Sequence, residues 1–136
     1  MSKDGARLAL ISTSIDSSIY VFDIATNTTN RFELFNPTFT QGVEAGGVLY
    51  ADSFEWDYTG EIIIYDALNR IAGTGVISEN VEYWDMGVLR AWNNNANDFG
   101  DGSIQKIFST LPSGVSVGNP SSVSYTHLTL PTICSV

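Results

Sequence analysis

The sequence Thr59-Gly60-Glu61-Ile62-Ile63-Ile64-Tyr65-Asp66 is a turn followed by the strongest β-strand pattern in the chain. Its β-branched and aromatic residues fall on both faces of the strand, which is typical of an interior strand of a sheet. A second stretch, Asp4-Gly5-Ala6-Arg7-Leu8-Ala9-Leu10, aligns with it, and the two glycines are 55 positions apart (60 − 5). This spacing predicts an internal repeat of turn-and-strand units.

Around the first copy, three strand patterns are separated by short polar turns. They are Arg7–Ser12, Ile19–Phe22 and Arg31–Phe35, with a polar connection at Asp23–Asn30. Consecutive short strands joined by turns predict an antiparallel meander. The meander is expected to end at Asn36-Pro37, because proline cannot donate a hydrogen bond to a ladder.

Around the second copy, the strand patterns follow a similar order. They are Ser53–Asp57, Glu61–Asp66, a strand pair or one long strand at Glu82–Trp92, and Ser103–Phe108. A polar Asn/Asp/Gly loop is expected at Asn93–Gly102, and the Gly-rich stretch before Tyr50 has no clear pattern. The predicted fold class is therefore all-β, built from antiparallel strands.

Composition excludes several functional classes. The chain has 136 residues, of which 43% are hydrophobic and 15% charged, too apolar for general disorder. Its net charge of −9 and lack of a basic cluster argue against nucleic acid and anionic membranes as partners. No apolar run is long enough for a transmembrane helix, so membrane insertion is not expected. The first residues lack a signal-peptide core, so the chain is either cytosolic or begins downstream of its true start.

The C-terminal residues resemble a sequencing artefact. Ser124–Thr132 reads as the translation of a transposase adapter used to prepare sequencing libraries, and we predict an adapter-derived tail over residues 123–136. The alternative is a short natural strand at Tyr125–Leu130. The only histidine, His127, lies within this adapter-like string and the only cysteine, Cys134, lies just beyond it, so neither residue indicates a function. Without them no Ser-His-Asp, Cys-His or zinc-type set remains, and no catalytic residue is predicted.

Two segments resemble the repeat of TolB-type β-propellers. That repeat runs Ser-Pro-Asp-Gly, a small apolar strand, and an aliphatic-aromatic strand that closes on Asp. Ser2–Leu10 with Ser18–Asp23 is similar to one copy, Phe54–Asp66 to a second, and Asn119-Pro120-Ser121 to the entry of a third. This chain departs from the pattern at Lys3, which replaces Pro, and at Tyr58-Thr59, which replaces Pro-Asp.

The resemblance implies antiparallel blades of an incomplete propeller ring. The blade-like units would span about 2–50 and 51–118, with the start of a third at 119–122, so residues 1–122 form a partial propeller. Such propellers usually have six or more blades and occur in periplasmic, secreted or cell-surface proteins. An open arc leaves sheet edges unprotected, so the isolated chain is expected to be marginally stable and prone to aggregate.

The same resemblance implies a function for the parent protein. Propellers of this type are commonly binding platforms, which predicts a non-enzymatic scaffold that binds a protein or small ligand. The remaining blades of the same parent chain would be further partners. The alternative is the propeller portion of a hydrolase, either a peptidase or a carbohydrate-active enzyme, whose catalytic residues lie outside these residues.

The loop Asn93–Gly102 is the candidate metal site. Calcium is bound by six to eight oxygen atoms. The side chains predicted to supply some of these atoms are those of Asn95, Asn97, Asp98 and Asp101. The EF-hand spacing is not met, and the alternative is a plain loop of turn-forming residues. No other cofactor is predicted.

Two further sets of residues have alternative interpretations. The carboxylates at Asp52, Glu55 and Asp57 are consistent with a glycosidase pair or, more simply, with solvated faces and turn caps. Aromatic residues suggest either a stacking surface for sugar or peptide or packing between blades. These aromatic residues are Trp56, Tyr83, Trp84 and Trp92.

Overall fold

The chain folds entirely into β-strands and connecting turns. A computed structural model describes residues 1–12, 16–37, 47–71, 81–108, 115–118, 121–122, 128–129 and 132–135. These residues contain no helix, their sheets are antiparallel, and none of the sheets closes on itself. The predicted all-β class is confirmed.

The first sheet has three antiparallel strands in the order β1-β2-β3. They are β1 (Arg7–Ile11), β2 (Ser18–Asp23) and β3 (Thr28–Glu33), which confirms the predicted meander. The third strand begins at Thr28 instead of Arg31, because the connection after Asp23 is a tight turn. Asn27 closes this turn in the left-handed region at φ 56°, a conformation that Asn tolerates better than most residues.

The second sheet has four antiparallel strands in the order β4-β5-β6-β9. They are β4 (Gly47–Trp56), β5 (Ile62–Ile71), β6 (Val81–Arg90) and β9 (Ile104–Phe108). β5 lies between two neighbours, as its sequence predicts. The predicted Asn93–Gly102 loop contains most of a short hairpin formed by β7 (Trp92–Asn93) and β8 (Asp98–Phe99), and its turn uses Asn97 at φ 49°.

Two small antiparallel strand pairs complete the described residues. β10 (Val115–Gly118) pairs with β13 (Thr132–Ser135), and β11 (Ser121–Ser122) pairs with β12 (Leu128–Thr129). Each of these pairs joins a strand before the predicted start of the tail at residue 123 to a strand after it. The strand β4 runs across the predicted boundary of the two blade-like units, between residues 50 and 51. The adapter origin of residues 123–136 and the division into units stay predictions; His127 and Asn119-Pro120 lie outside the described residues.

The two turns that precede β1 and β5 have the same backbone geometry. In Ser2–Arg7 and in Asp57–Ile62, the first residue donates its N–H to the last residue's carbonyl at 2.8 and 2.9 Å. The glycine of each turn, Gly5 or Gly60, donates to the carbonyl of the first residue at 2.9 and 3.1 Å. Both glycines adopt positive φ, 72° and 73°, which a residue with a Cβ rarely adopts.

The side chains of the two turns also play matching roles. Ser2 Oγ and Asp57 Oδ1 accept the N–H of the turn's last residue at 3.0 and 3.1 Å. Asp4 Oδ1 and Thr59 Oγ1 accept the amide that follows the glycine at 3.0 and 3.2 Å. Different residues therefore build the same turn 55 positions apart, and β1, β2 and β3 correspond to β5, β6 and β9.

Both sheets contribute to one hydrophobic core, but they contribute opposite faces. In the 55-residue alignment Leu8 corresponds to Ile63, on what we term the front face, and Ala9 corresponds to Ile64, on the back face. The core contains back-face residues of the first sheet and front-face residues of the second. These are Ala9, Ile19, Val21 and Phe32 from the first sheet and Trp56, Ile63, Tyr65 and Leu89 from the second. The sheets therefore stack front to back.

Candidate functional site

A groove separates the two equivalent turns at one end of the sheets. Lys3 and Asp4 of the first turn and Tyr58, Thr59 and Gly60 of the second line a space of about 300 Å³. This volume is at the lower end of the range found for small-molecule sites. Since each turn supplies one wall, the groove exists only because the two turns are adjacent.

The groove presents both charges and one aromatic ring. The hydrogen bond from the Ser2 hydroxyl, at 2.7 Å, is the largest cause that lowers the pKa of Asp4. Asp4 is therefore a carboxylate at neutral pH, and it also lies 3.4 Å from the guanidinium of Arg7. Tyr58 is 37% exposed, which leaves its ring available for stacking. Together with the exposed Lys3, these groups fit a ligand that carries polar or charged groups beside a flat surface.

A second polar cluster is buried where the segment after β3 covers the front face of the second sheet. Lys106 Nζ lies 2.7 Å from Asp85 Oδ2, and the two side chains are only 11% and 4% exposed. Tyr65 and Asn69 line the same cavity, whose volume is about 20 Å³. A cavity of this size accommodates about one water molecule, so the cluster is too small to take a substrate.

The phenol of Tyr65 is held in its protonated form. Burial, followed by the negative charge of Asp85, raises the pKa of Tyr65. The ring lies against Gly87, where a Cβ atom would come within 2.6 Å of the phenol oxygen. Asn69 donates to the carbonyl of Ala67 at 3.1 Å, while its buried Oδ1 accepts no hydrogen bond from the described residues. We interpret the cluster as a polar anchor between layers.

The predicted calcium residues all lie in or after the β7–β8 hairpin. Asn95 and Asn97 are in its turn, and Asp98 accepts the next amide, that of Phe99, at 2.8 Å. Asp101 accepts the N–H of Ser103 at 2.9 Å, a bond that lowers the pKa of Asp101. In the described part of the chain, no three His, Cys, Asp or Glu side chains are grouped to hold a metal ion. The calcium site stays a prediction.

Most of the predicted stacking aromatics are core residues. Trp56, Tyr83 and Trp92 are 5%, 6% and 4% exposed. Trp84 is half-buried, in an edge-to-face contact with Tyr50 at 6.0 Å between ring centroids. Core packing is thus the interpretation that the structure favours for Trp56, Tyr83 and Trp92.

The acidic residues near β4 have structural contacts. Asp57 accepts the Thr59 hydroxyl and the Ile62 amide, so it closes its turn. Asp66 Oδ1 accepts the amides of Asp52 and Ser53 at 3.3 and 2.6 Å, where the register of β4 shifts. Turn capping, one of the two interpretations considered above, accounts for Asp57.

Sequence reasoning missed both the groove and the buried cluster. The groove requires knowledge that two turns 55 positions apart are neighbours in space. The cluster had a signal: Asp85 stands within the apolar strand pattern Tyr83-Trp84-Asp85-Met86. A carboxylate in such a strand requires a cation or hydrogen-bond donors, and Lys106 in the next predicted strand provides one.

Comparison with protein-family models, with curated proteins and with solved structures gave no match. The resemblance to TolB-type propellers therefore depends on the residues quoted for it. Within the residues that the structure describes, no helix is long and apolar enough to cross a membrane.

Proposed function

We propose that these residues form two blade-like units of a TolB-type propeller and act as a non-enzymatic binding scaffold. The observation that carries this proposal is the front-to-back stacking of two sheets with equivalent entry turns. An interface between unlike faces of like units does not close with two copies; it continues until the rotation completes a ring. Successive blades of a propeller pack in this way, with the back of one sheet against the front of the next. A two-fold symmetric sandwich would instead bury the same face of both sheets.

The groove between the entry turns is the binding site in this proposal. In an array of such units, every junction places two entry turns side by side, so the groove would recur at one rim of the ring. Lys3 and Asp4 supply opposite charges, and Tyr58 supplies a stacking surface. We propose a short peptide segment as the ligand class, because its termini, amides and side chains complement these groups.

The groove is tested by amide chemical-shift mapping with a set of zwitterionic tripeptides that carry one aromatic residue. We expect binding to shift the amide signals of Asp4 and Gly60. Tyr58→Ala should abolish these shifts, whereas Phe35→Ala, at an aromatic residue that is 50% exposed outside the groove, should not. If no tripeptide shifts the two amides at millimolar concentration, the groove is not a peptide site.

A further inference from the structure

The two equivalent sheets differ by one strand. In the second sheet β4 pairs with β5 on the side away from β6. Its last residue, Trp56, directly precedes the entry turn at Asp57. In the first sheet, within the residues that the structure describes, β1 pairs with β2 alone. Among the described residues, β1 therefore has no neighbour on the side where β5 is covered by β4, and we term this side of β1 the open edge.

At the open edge, alternate residues of β1 direct their backbone N–H and carbonyl groups away from β2. Arg7 exchanges two hydrogen bonds with Ser2, from its N–H to Ser2 Oγ and from Ser2 N–H to its carbonyl, at 3.0 and 2.8 Å. Arg7 therefore directs both backbone groups away from β2. Since alternate residues of an antiparallel strand face the same neighbour, the N–H and carbonyl groups of Ala9 and Ile11 point to the open edge.

The covered edge of β5 shows which side chains fit there. Phe54 and Trp56 of β4 lie opposite Tyr65 and Ile63 on the front face. The residues of β1 that correspond to Tyr65 and Ile63 are Leu10 and Leu8, and Leu10 is 51% exposed. Bulky apolar side chains at alternate positions of a docked strand would cover these leucines, as Phe54 and Trp56 cover their counterparts.

We infer that the open edge of β1 is a docking site for one extended peptide segment. The segment runs antiparallel to β1, ends beside Ser2 as β4 ends beside Asp57, and has bulky apolar residues at alternate positions. A second copy of β1 fits this edge less well, because Ser2 occupies the backbone groups of Arg7 in both copies and leaves only Ala9–Ile11 of each strand to pair. This inference depends on the equivalence of the two turns and not on the peptide groove.

A tethered strand tests the inference in the full chain. The sequence of residues 47–56 is placed directly before Ser2, in place of Met1, and amide hydrogen exchange is measured residue by residue. Docking should slow exchange at the amides of Ala9 and Ile11 by about tenfold or more, because these are the amides that gain partners. The amide of Ile64 should exchange as before, which shows that the native β4 remains in place.

Two control fusions separate strand docking from a general effect of the added residues. In one, the copy of Glu55, which would lie opposite Ala9, is replaced by Pro, which cannot donate to the ladder. In the other, the copies of Phe54 and Trp56 are replaced by Ser. Both should lose most of the protection. Equal protection in the Pro control, or none in the parent fusion, would overturn the inference. Concentration-dependent protection of Ala9 in the unfused chain would instead identify a second copy as the occupant.

Discussion

The guanidinium of Arg7 lies 4.0 Å from the ring centroid of Trp92. Arg7 belongs to the back face of the first sheet, and Trp92 belongs to β7, two residues after the end of β6, so the contact joins the first sheet to the β7–β8 hairpin. Phe99 contacts Trp92 edge to face, with the two ring centroids 5.4 Å apart. A desolvated cation–π pair of this kind contributes about 2 kcal/mol.

We expect Arg7→Ala to lower the free energy of unfolding by about 1–3 kcal/mol, because both the cation–π contact and the packing of the side-chain stem are lost. Urea denaturation measures the change. Arg90→Ala, at an exposed arginine, is the control and should change stability by less than about 0.5 kcal/mol. Equal effects of the two substitutions would show that the contact of Arg7 with Trp92 does not stabilise the fold.

The buried ion pair of Asp85 and Lys106 is tested by a single substitution and by a double substitution that should restore stability. Lys106→Met should cost about 3–5 kcal/mol, because it removes the cation next to the buried Asp85 carboxylate. The double variant Lys106→Met/Asp85→Leu should recover most of this loss, since apolar replacement of a buried pair is often close to neutral. Denaturant titration of the single and double variants is the measurement. A double variant no more stable than Lys106→Met would contradict the assigned pair.

The acid sensitivity of the first sheet should depend on Asp16. Hydrogen bonds from the hydroxyls of Ser18 and Tyr20, together with the Arg31 guanidinium at 3.1 Å, lower the pKa of Asp16 from 3.8 to about 2. A carboxyl with a lowered pKa stabilises the folded state above its ordinary pKa, and this contribution is lost as the pH falls towards the lowered value.

We therefore expect the stability of the wild-type chain to fall more steeply than that of Asp16→Asn between pH 3.8 and about 2. Thermal unfolding followed by circular dichroism across this interval is the measurement. Parallel curves for the two proteins would show that Asp16 contributes nothing to the acid sensitivity.

The exposed front face of the first sheet should promote self-association. Leu10 is 51% exposed there, opposite the half-buried Tyr20 in the neighbouring strand. Leu10→Thr keeps strand propensity while it removes apolar surface. We expect this variant to remain monomeric at concentrations where the wild-type chain associates, as measured by light scattering after size exclusion. A wild-type chain that stays monomeric throughout would contradict this prediction and the expected aggregation of the open arc.

The sequence predicts the strands better than their arrangement. Ile62–Tyr65 is recognisable as an interior strand because apolar side chains occupy both of its faces. Because Ile63 and Ile64 are equally suited to a core, the sequence does not predict which face of this strand packs against the first sheet. The sequence predicts longer loops where the structure has tight turns at Asn27 and Asn97, because the polar residues around each Asn do not show which one adopts the left-handed conformation.

The candidate sites were less predictable for a different reason. The predicted calcium residues share only an oxygen-rich composition. The same composition is typical of a turn whose side chains accept hydrogen bonds from its own backbone, as Asp101 does from Ser103. The groove has no local signature, because its walls come from separate turns. The Asp85–Lys106 pair has the signature of a charge in an apolar strand, but its partner is identifiable only once β6 and β9 are known to be neighbours.

The front-to-back stacking of the sheets is tested most directly by nuclear Overhauser contacts between methyl groups and aromatic rings. We expect contacts from the methyl groups of Ile19 and Val21 to side chains of the second sheet's front face, including Tyr65 and Trp56. We expect none from Leu10, on the opposite face of the first sheet. Contacts from Leu10 to those rings, with Ile19 and Val21 remote from them, would show a face-to-face sandwich and rule out front-to-back stacking.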